Sequence, residues 1–347
     1  MPGSADGDET HCDAVEVRHF QPRREPGSAP HQGDPSTLDV VSSRVAVVGA
    51  GLSGVSCARV LREHGIEVEL FERGRAPGGR MASPEVHNRR VDLGAAYFTV
   101  KEPDFGAVVQ DWEAQDLVRQ WTDTFDVVGD DGHTTTSGPM RYAAVGGLRS
   151  LVRAATAQDV RTGCEVTALA DLDHDAVVLA MPDPQAARLA PDAAGEVAYD
   201  PVIAVAAGWP QRCWPFAAAA FINDDPDIAF VADDGSRRGD DAAVLVVHTS
   251  ARTAHAHLQH PEQVVPAVLA ALQRTLGISN APQWTHVHRW TFAKPADTHG
   301  DKPFGLDIDG GRPLGRCGDS WCPSGAPRVE SAWLSGRRLG HALAEQL

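Results

Sequence analysis

The sequence predicts an α/β fold, with a helix-flanked parallel sheet and a separate α+β block. Three observations predict it. The stretch RVAVVGAGLSGVSCARVLREHGIEVELFER, Arg44 to Arg73, reads in order as strand, glycine turn, helix and strand. Asp175 to Ala180 is an apolar run suited to the centre of a sheet, stopped by Pro182 and Pro184. From about residue 200 to 282, the strand-like runs VIAVAAGW, AAFIN, IAFVA and AAVLVVHTS are followed by a helix from about Pro261 to Leu276. That block reads as an antiparallel sheet with a helix packed on it.

Val45 to Val48 is short, apolar and β-branched, the pattern of a buried parallel strand. Gly49, Gly51 and Gly54 then form G-x-G-x-x-G. Gly49 permits the tight turn, Gly51 lets backbone approach a diphosphate, and Gly54 lets helix and strand pack closely. Helix formers run on to Gly65, Glu67 to Phe71 reads as a second strand, and Glu72 stands at its end. The unpaired N–H groups and partial positive charge at the helix start suit a diphosphate. Glu72 can accept two hydrogen bonds from a ribose, which disfavours a 2′-phosphate. The complete order makes this a Rossmann-type dinucleotide site rather than an incidental glycine turn, with FAD or NAD as candidates.

Further along, residues 104 to 122 place Phe105, Val108, Val109, Trp112, Leu117 and Trp121 at helix-like spacing. FDVVGDDGHTTT predicts a hairpin turning at Gly129 to Gly132, and RYAAVGGLRSLVRAAT a loop and a helix. EVTALADLDHDAVVLAMPDPQA holds two strands with little between them, and the chain ends in a helix from about Val329. Residues 1–42, rich in Gly, Pro, Ser, Asp and His, predict a disordered tail, with a misassigned start as the alternative.

The balance of 31 Lys+Arg against 47 Asp+Glu gives a net charge of −16, a poor match to nucleic acid or an anionic membrane. No apolar run reaches the ~20 residues needed to span a bilayer, and no signal pattern opens the chain, so the expected location is cytoplasmic. Six scattered cysteines without a C-x-x-C pair predict reduced thiols.

Six residues after Glu72, Gly78-Gly79-Arg80 begins a second glycine motif within APGGRMAS. With VDLGAAYFTV (Val91 to Val100), DAVVLAMPDPQA (Asp175 to Ala186) and CGDSWCPSGAPRVESAWLSG (Cys317 to Gly336), it resembles the renalase-like branch of the flavin-dependent amine oxidase superfamily. The resemblance implies FAD as cofactor. It implies a Rossmann-like FAD-binding domain over 43–100, 138–185 and 283–347, with an inserted α+β substrate domain (mixed antiparallel sheet plus helices) over 101–137 and 186–282. It also implies the cofactor contacts. Gly49, Gly51, Leu52, Ser53 and Gly54 would face the diphosphate, and Glu72 the ribose with Arg73 beside it. Gly79, Arg80 and Met81 would run toward the flavin, with Gly94 and Ala95 on the following loop. Val166 would pair with adenine, Asp319 would hold the ribityl or diphosphate region, and the helix from Val329 would point at the flavin pyrimidine ring. Glu330 stays open between a flavin role and a helix-start acid. The chain departs from the family in a short connection between Ala168 and Asp175, in Ala96 where Gln is frequent, and in Ser331 of RVESAW.

The implied activity is hydride transfer from a small donor, an isomeric dihydronicotinamide, to flavin N5, with oxygen as acceptor and hydrogen peroxide as product. The alternatives are an amine oxidase or protoporphyrinogen-oxidase-like dehydrogenase, and a non-enzymatic carrier on the same scaffold. No catalytic side chain is assigned, because the flavin supplies the reactive atom. His255-x-His257 and His286-x-His288 fit no metal-ligand spacing, so no metal site is assigned. Trp290, Trp321, Trp333, Tyr97 and Phe98 are candidates to wall the pocket, though aromatic residues more often build core.

Overall fold

The computed structural model describes residues 43–156, 160–193, 195, 197–323 and 325–347. The expected tail, 1–42, lies outside them. Two sheets organise the chain. The first has six strands in the order Gly305–Asp309, Arg312–Arg316, Ala176–Leu179, Arg44–Val48, Glu67–Glu72 and Val160–Thr162. Its neighbours run parallel except for the hairpin between the first two. Val45 to Val48 and Ala176 to Leu179 are fully buried, because helices or loops cover both faces of a parallel sheet.

Helix Leu52–Glu63 packs on this sheet, and helix Val329–Ala344 packs on that helix. Small residues set their distance. A Cβ on Gly336 would stand 1.9 Å from the Ser53 carbonyl oxygen, and one on Gly340 would stand 3.0 Å from that of Cys57. Ser56 Oγ donates to the Trp333 carbonyl at 2.9 Å across the same contact.

The second sheet has eight strands, ordered Trp284–Pro295, Tyr199–Gly208, Val244–Thr249, Ile228–Asp233, Ala219–Ile222, Val118–Gly129, Gly132–Ala144 and Phe98–Thr99. It is antiparallel except where Ala219–Ile222 lies parallel to Val118–Gly129. Helix Val265–Leu276 buries Val268, Ala271 and Leu272 in a core shared with Ile203, Val205 and Leu245 of this sheet. The four strand runs of the central block are present, and the α/β class with an α+β second part holds.

Three local expectations are corrected. The helix expected over 104–122 is Pro103–Ala114. It buries Phe105, Val109 and Trp112, and then Asp116 takes a positive φ of 55° and the chain enters a strand at Val118. Trp121 therefore sits on the eight-stranded sheet: the β-branched run Thr122, Thr124 and paired neighbours override a helical spacing of apolar residues. The strand expected near Val166 is instead Val160–Thr162, paired to Leu70–Glu72, and 165–168 has no regular secondary structure. Finally, Trp284–Pro295, Gly132–Ala144 and Phe98–Thr99 all pair within the eight-stranded sheet, so segments 43–100, 138–185 and 283–347 each include chain from both sheets.

A buried ionic cluster ties the loop after Val91 to helix Asp234–Arg238. Asp92 accepts from the Leu148 N–H at 2.9 Å and pairs with Arg238 at 3.0 Å, and Ser83 Oγ bonds to it as well. Arg237 pairs with Asp234 at 2.5 Å and donates to the Ala96 carbonyl at 3.1 Å. Each charge has an opposite partner, the condition for burying such groups at tolerable cost. This cluster sets the course of Gly94 and Ala95.

Candidate functional site

At the C-terminal ends of strands Arg44–Val48, Glu67–Glu72 and Ala176–Leu179, the chain encloses a cavity of about 1600 Å³ that reaches the eight-stranded sheet. Pockets for ordinary small ligands span about 300–1,000 Å³. This one has room for a dinucleotide and a second molecule.

The two glycine turns form one trough. Gly49 leaves its strand at φ 111°, and a Cβ there would stand 2.5 Å from the Ala180 carbonyl oxygen. Gly51 opens to the cavity, with nothing within 4 Å of a Cβ position. Leu52 and Ser53 continue the wall as the first turn of their helix. Gly78 and Gly79 both have positive φ, and the Gly78 N–H donates to the Ala50 carbonyl at 2.9 Å. A Cβ on Gly79 would stand 3.4 Å from Gly51 Cα, so the two turns abut. Gly54 does not line the trough, as the family resemblance implied, but takes the packing place that the glycine spacing predicts. A Cβ on it would meet the Gly49 carbonyl oxygen at 2.0 Å and the Ala180 Cβ at 2.9 Å, so it packs helix against strand behind the trough.

Glu72 and Arg73 line the cavity at the strand end. The Glu72 carboxylate accepts from the Gly74 N–H at 2.7 Å and the Ala50 N–H at 3.2 Å, and each oxygen keeps capacity for a further donor. Val166 lines the same end beside Cys164, Glu165 and Thr167.

Arg80, Met81, Gly94 and Ala95 line the middle of the cavity. The Ala95 N–H donates to the Arg80 carbonyl at 2.9 Å, a crossing that leaves no room for a Cβ on Gly94. Arg80 is held in a fork by Asp319, at 2.8 and 2.5 Å, and donates to the Ala293 carbonyl at 3.1 Å. Burial works against the Arg80 charge, but Asp319 more than offsets it and holds the guanidinium above its ordinary range. Sequence reasoning placed Asp319 on the cofactor. Asp319 lines the cavity, and each of its oxygens accepts one bond from Arg80 and, like those of Glu72, keeps capacity for a further donor; the Arg80 guanidinium also lies 5.7 Å from the Tyr199 ring centre. The Tyr199 hydroxyl is pushed above its ordinary range by burial and then by Asp319.

The start of helix Val329–Ala344 reaches the cavity through Arg328, Val329 and Ala332. Ser331, the departure in RVESAW, accepts the Arg328 N–H at 2.6 Å and so caps this helix. Glu330 is buried and accepts the Lys101 and Glu102 N–H groups at 2.7 and 2.8 Å. It holds the C-terminal helix to the start of helix Pro103–Ala114.

The eight-stranded sheet supplies the remaining wall with Phe98, Phe221, Phe230, Trp290, Phe292, His248, His288, Lys294 and Arg141, and Tyr97 joins it. Of the expected aromatic residues, Trp321 instead stacks on His299 at 3.5 Å and Trp333 packs against Phe105. Sequence reasoning passed over Arg141, His248 and Lys294, which lie within ordinary-looking strands and carry no local motif.

Burial, then the charges of Lys294 and Arg237, lowers the His248 pKa to about 3, and its Nε2 is buried without a partner. The imidazole is therefore neutral at working pH. An unfolded histidine takes up its proton near pH 6.5, so stability is present above that pH and falls as the solution is acidified toward the folded value. Replacing His248 with Gln is expected to flatten the fall in thermal stability between pH 7 and 5 by at most about 1.4 kcal/mol per pH unit. Parallel melting curves for both proteins check this, and equal slopes would remove His248 as a contributor.

Residues 47–112 match the NAD(P)-binding Rossmann-like domain, and residues 135–339 match the family described as flavin containing amine oxidoreductase. The chain is 25% identical to renalase of Mus musculus over 311 residues, covering 75% of this chain and 88% of that protein. It is 39% identical to protoporphyrinogen oxidase 2 of Arabidopsis thaliana, but over 72 residues, 21% of this chain and 14% of that one. Its fold is similar to cyclohexylamine oxidase from Brevibacterium oxydans IH-35A, with a TM-score of 0.64 and 14% identity over 88% of this chain and 99% of that one. It is equally similar to a putrescine oxidase, with a TM-score of 0.64 and 16% identity over 87% and 99%. The abutting glycine turns, the open Gly51 and the free capacity of Glu72 fit the dinucleotide that such a family carries, and no helix among the described residues is long and apolar enough to cross a membrane. The chain belongs to the flavin containing amine oxidoreductase family and is an FAD-dependent oxidoreductase, similar within that family to its renalase-like branch.

Proposed function

We propose that the protein oxidises an isomeric dihydronicotinamide with oxygen. The balance is one donor, one oxygen and one proton in, and one nicotinamide cation and one hydrogen peroxide out. The observation that carries this reading is the wall from the eight-stranded sheet. It offers aromatic faces and cations, and no carboxylate among the described residues there to receive an alkylammonium donor. A flat neutral ring fits such a wall better than a charged amine does.

FAD, when bound, supplies a two-electron hydride acceptor. The proposed roles of the chain follow the geometry. Gly49, Gly51, Leu52, Ser53 and Gly79 would present backbone to the diphosphate, with Gly54 fixing the helix behind them. Glu72, flanked by Arg73, would accept the ribose hydroxyls, and Val166 would border the adenine. Asp319 would act through Arg80, keeping that guanidinium charged beside Met81, Gly94 and Ala95. The helix start at Val329 would present its positive end to developing negative charge. Phe230, Trp290 and Tyr97 would orient the donor ring and exclude water. We assign the six-stranded sheet to an FAD-binding domain and the eight-stranded sheet to a substrate domain, and place the protein in the cytoplasm, which suits the five free cysteines among the described residues.

The test is anaerobic stopped-flow bleaching of the flavin with a panel of dihydronicotinamide isomers and primary or secondary amines. Rapid bleaching by a dihydronicotinamide and slow or absent bleaching by amines is expected. Rapid bleaching by an amine, with none from any dihydronicotinamide, would falsify the donor assignment and leave the family intact.

A further inference from the structure

Arg141 is an ionised side chain that the fold leaves without a partner. It lies on strand Gly132–Ala144, opposite Thr99 and Thr122 on the two neighbouring strands, and is only 7% exposed. Its Nη1 is buried with no hydrogen-bond acceptor, and no carboxylate pairs with it among the described residues. Arg237 and Arg238, buried beside the same sheet, also have nitrogens without a hydrogen-bond acceptor, but each has a carboxylate against it: Asp234 at 2.5 Å and Asp92 at 3.0 Å. Arg141 instead lies over the Phe125 ring at 4.0 Å, with Tyr97 at 5.7 Å. A ring face attracts a cation but gives an N–H no lone pair, so it offsets only part of the burial cost.

A guanidinium cannot escape this cost by losing its proton. A buried cation held without an anion is unfavourable, and such cost persists at functional sites, where a ligand completes the pairing. Arg141 lines the cavity, next to Pro139, Tyr97, Thr99 and Phe221, on the side built by the eight-stranded sheet. Lys294 adds a second positive charge to that wall; Asp200 stands opposite it across the strand pair but does not line the cavity, and no carboxylate among the described residues pairs with Arg141.

We infer that Arg141 is the recognition site for an anionic group, a carboxylate or a phosphate, carried by the donor. This rests on the reading that the donor binds against the eight-stranded sheet. It deepens that reading: the preferred substrate is an acid or nucleotide form of the ring, whose planar or tetrahedral oxyanion takes the guanidinium fork.

Matched probes test it. Nicotinate and nicotinamide differ by carboxylate against amide, and nicotinamide mononucleotide and nicotinamide riboside by a phosphate. Acetate and inorganic phosphate carry the anion without the ring. Binding of each to the oxidised holoenzyme is measured by isothermal titration, for wild type, Arg141→Lys and Arg141→Met. The anionic member of at least one pair is expected to bind about ten- to a hundredfold tighter than its neutral partner. Arg141→Met is expected to erase that preference and Arg141→Lys to keep part of it. Which pair shows the preference distinguishes carboxylate from phosphate. Removing an unpaired buried charge should leave the melting temperature of Arg141→Met unchanged or higher, and a marked fall would make Arg141 structural and overturn the inference. Equal affinity within both pairs, or a preference that survives in Arg141→Met, overturns it while the donor reading stands. Arg141-dependent binding of acetate or phosphate, with no binding of any ring compound, upholds the anion site and overturns the nicotinamide reading. No binding of any probe overturns both.

Discussion

Gly336→Ala is expected to strip the protein of flavin and to cost about 3 kcal/mol of stability. The added Cβ would stand 1.9 Å from the Ser53 carbonyl oxygen and 2.7 Å from its carbonyl carbon. These are backbone atoms of the first turn of helix Leu52–Glu63, and no rotamer change can move them. The two helices must part, and both ends of the damage reach the cavity: Ser53 and Gly51 on one helix start, Arg328 and Val329 on the other. Gly106→Ala is the contrasting control. It lies within helix Pro103–Ala114, and its Cβ would meet only a side-chain atom, Val100 Cγ1, at 3.4 Å. There the lower backbone entropy of alanine should raise stability by about 0.5–1 kcal/mol. Melting temperature and the flavin-to-protein absorbance ratio after purification decide between them. A Gly336→Ala protein with wild-type values of both would show that the helices do not meet as described.

Breaking the Arg80–Asp319 fork should also be severe. Arg80→Met leaves the Asp319 carboxylate, 13% exposed, without its cation, and Asp319→Leu strands the guanidinium. Each single change is expected to cost about 2 kcal/mol or more, less than a fully buried pair because the Arg80 side chain is 28% exposed. The double change Arg80→Met with Asp319→Leu should recover most of that stability, since neither charge is then left unpaired. It should not recover flavin, because the charge and fork that link the second glycine turn to the C-terminal motif are gone. Thermal denaturation of the three variants gives the coupling energy, and flavin content gives the second readout. Additive losses in the double variant would mean that the two residues do not act as a pair.

The strand Arg44–Val48, the turn at Gly49 and Gly51, helix Leu52–Glu63 and strand Glu67–Glu72 were legible because each is specified by neighbours in the chain. A glycine at positive φ, an apolar β-branched run and helical periodicity all leave local marks. The central strands and the C-terminal helix were legible for the same reason. Periodicity misled at Leu117 and Trp121, where apolar spacing is shared by a helix and by the approach to an interior strand of the second sheet, and only pairing with Gly132–Ala144 separates them. Sheet membership was not legible, because a strand such as Trp284–Pro295 says nothing locally about which sheet it joins; its partner, Tyr199–Gly208, lies far back in the chain.

By itself the sequence determined the dinucleotide trough and, through its four family motifs, the flavin. These depend on backbone conformation and short-range pattern, which sequence encodes residue by residue. Only the tertiary structure decided what the charges do. Asp319 reaches across 239 positions to Arg80, and Glu330 across 229 to the Lys101 N–H. Arg141 stands out only because the fold brings it no carboxylate among the described residues. An ion pair leaves no periodic trace along the chain, and a missing one leaves none at all. Both exist only once burial has removed water as the alternative partner.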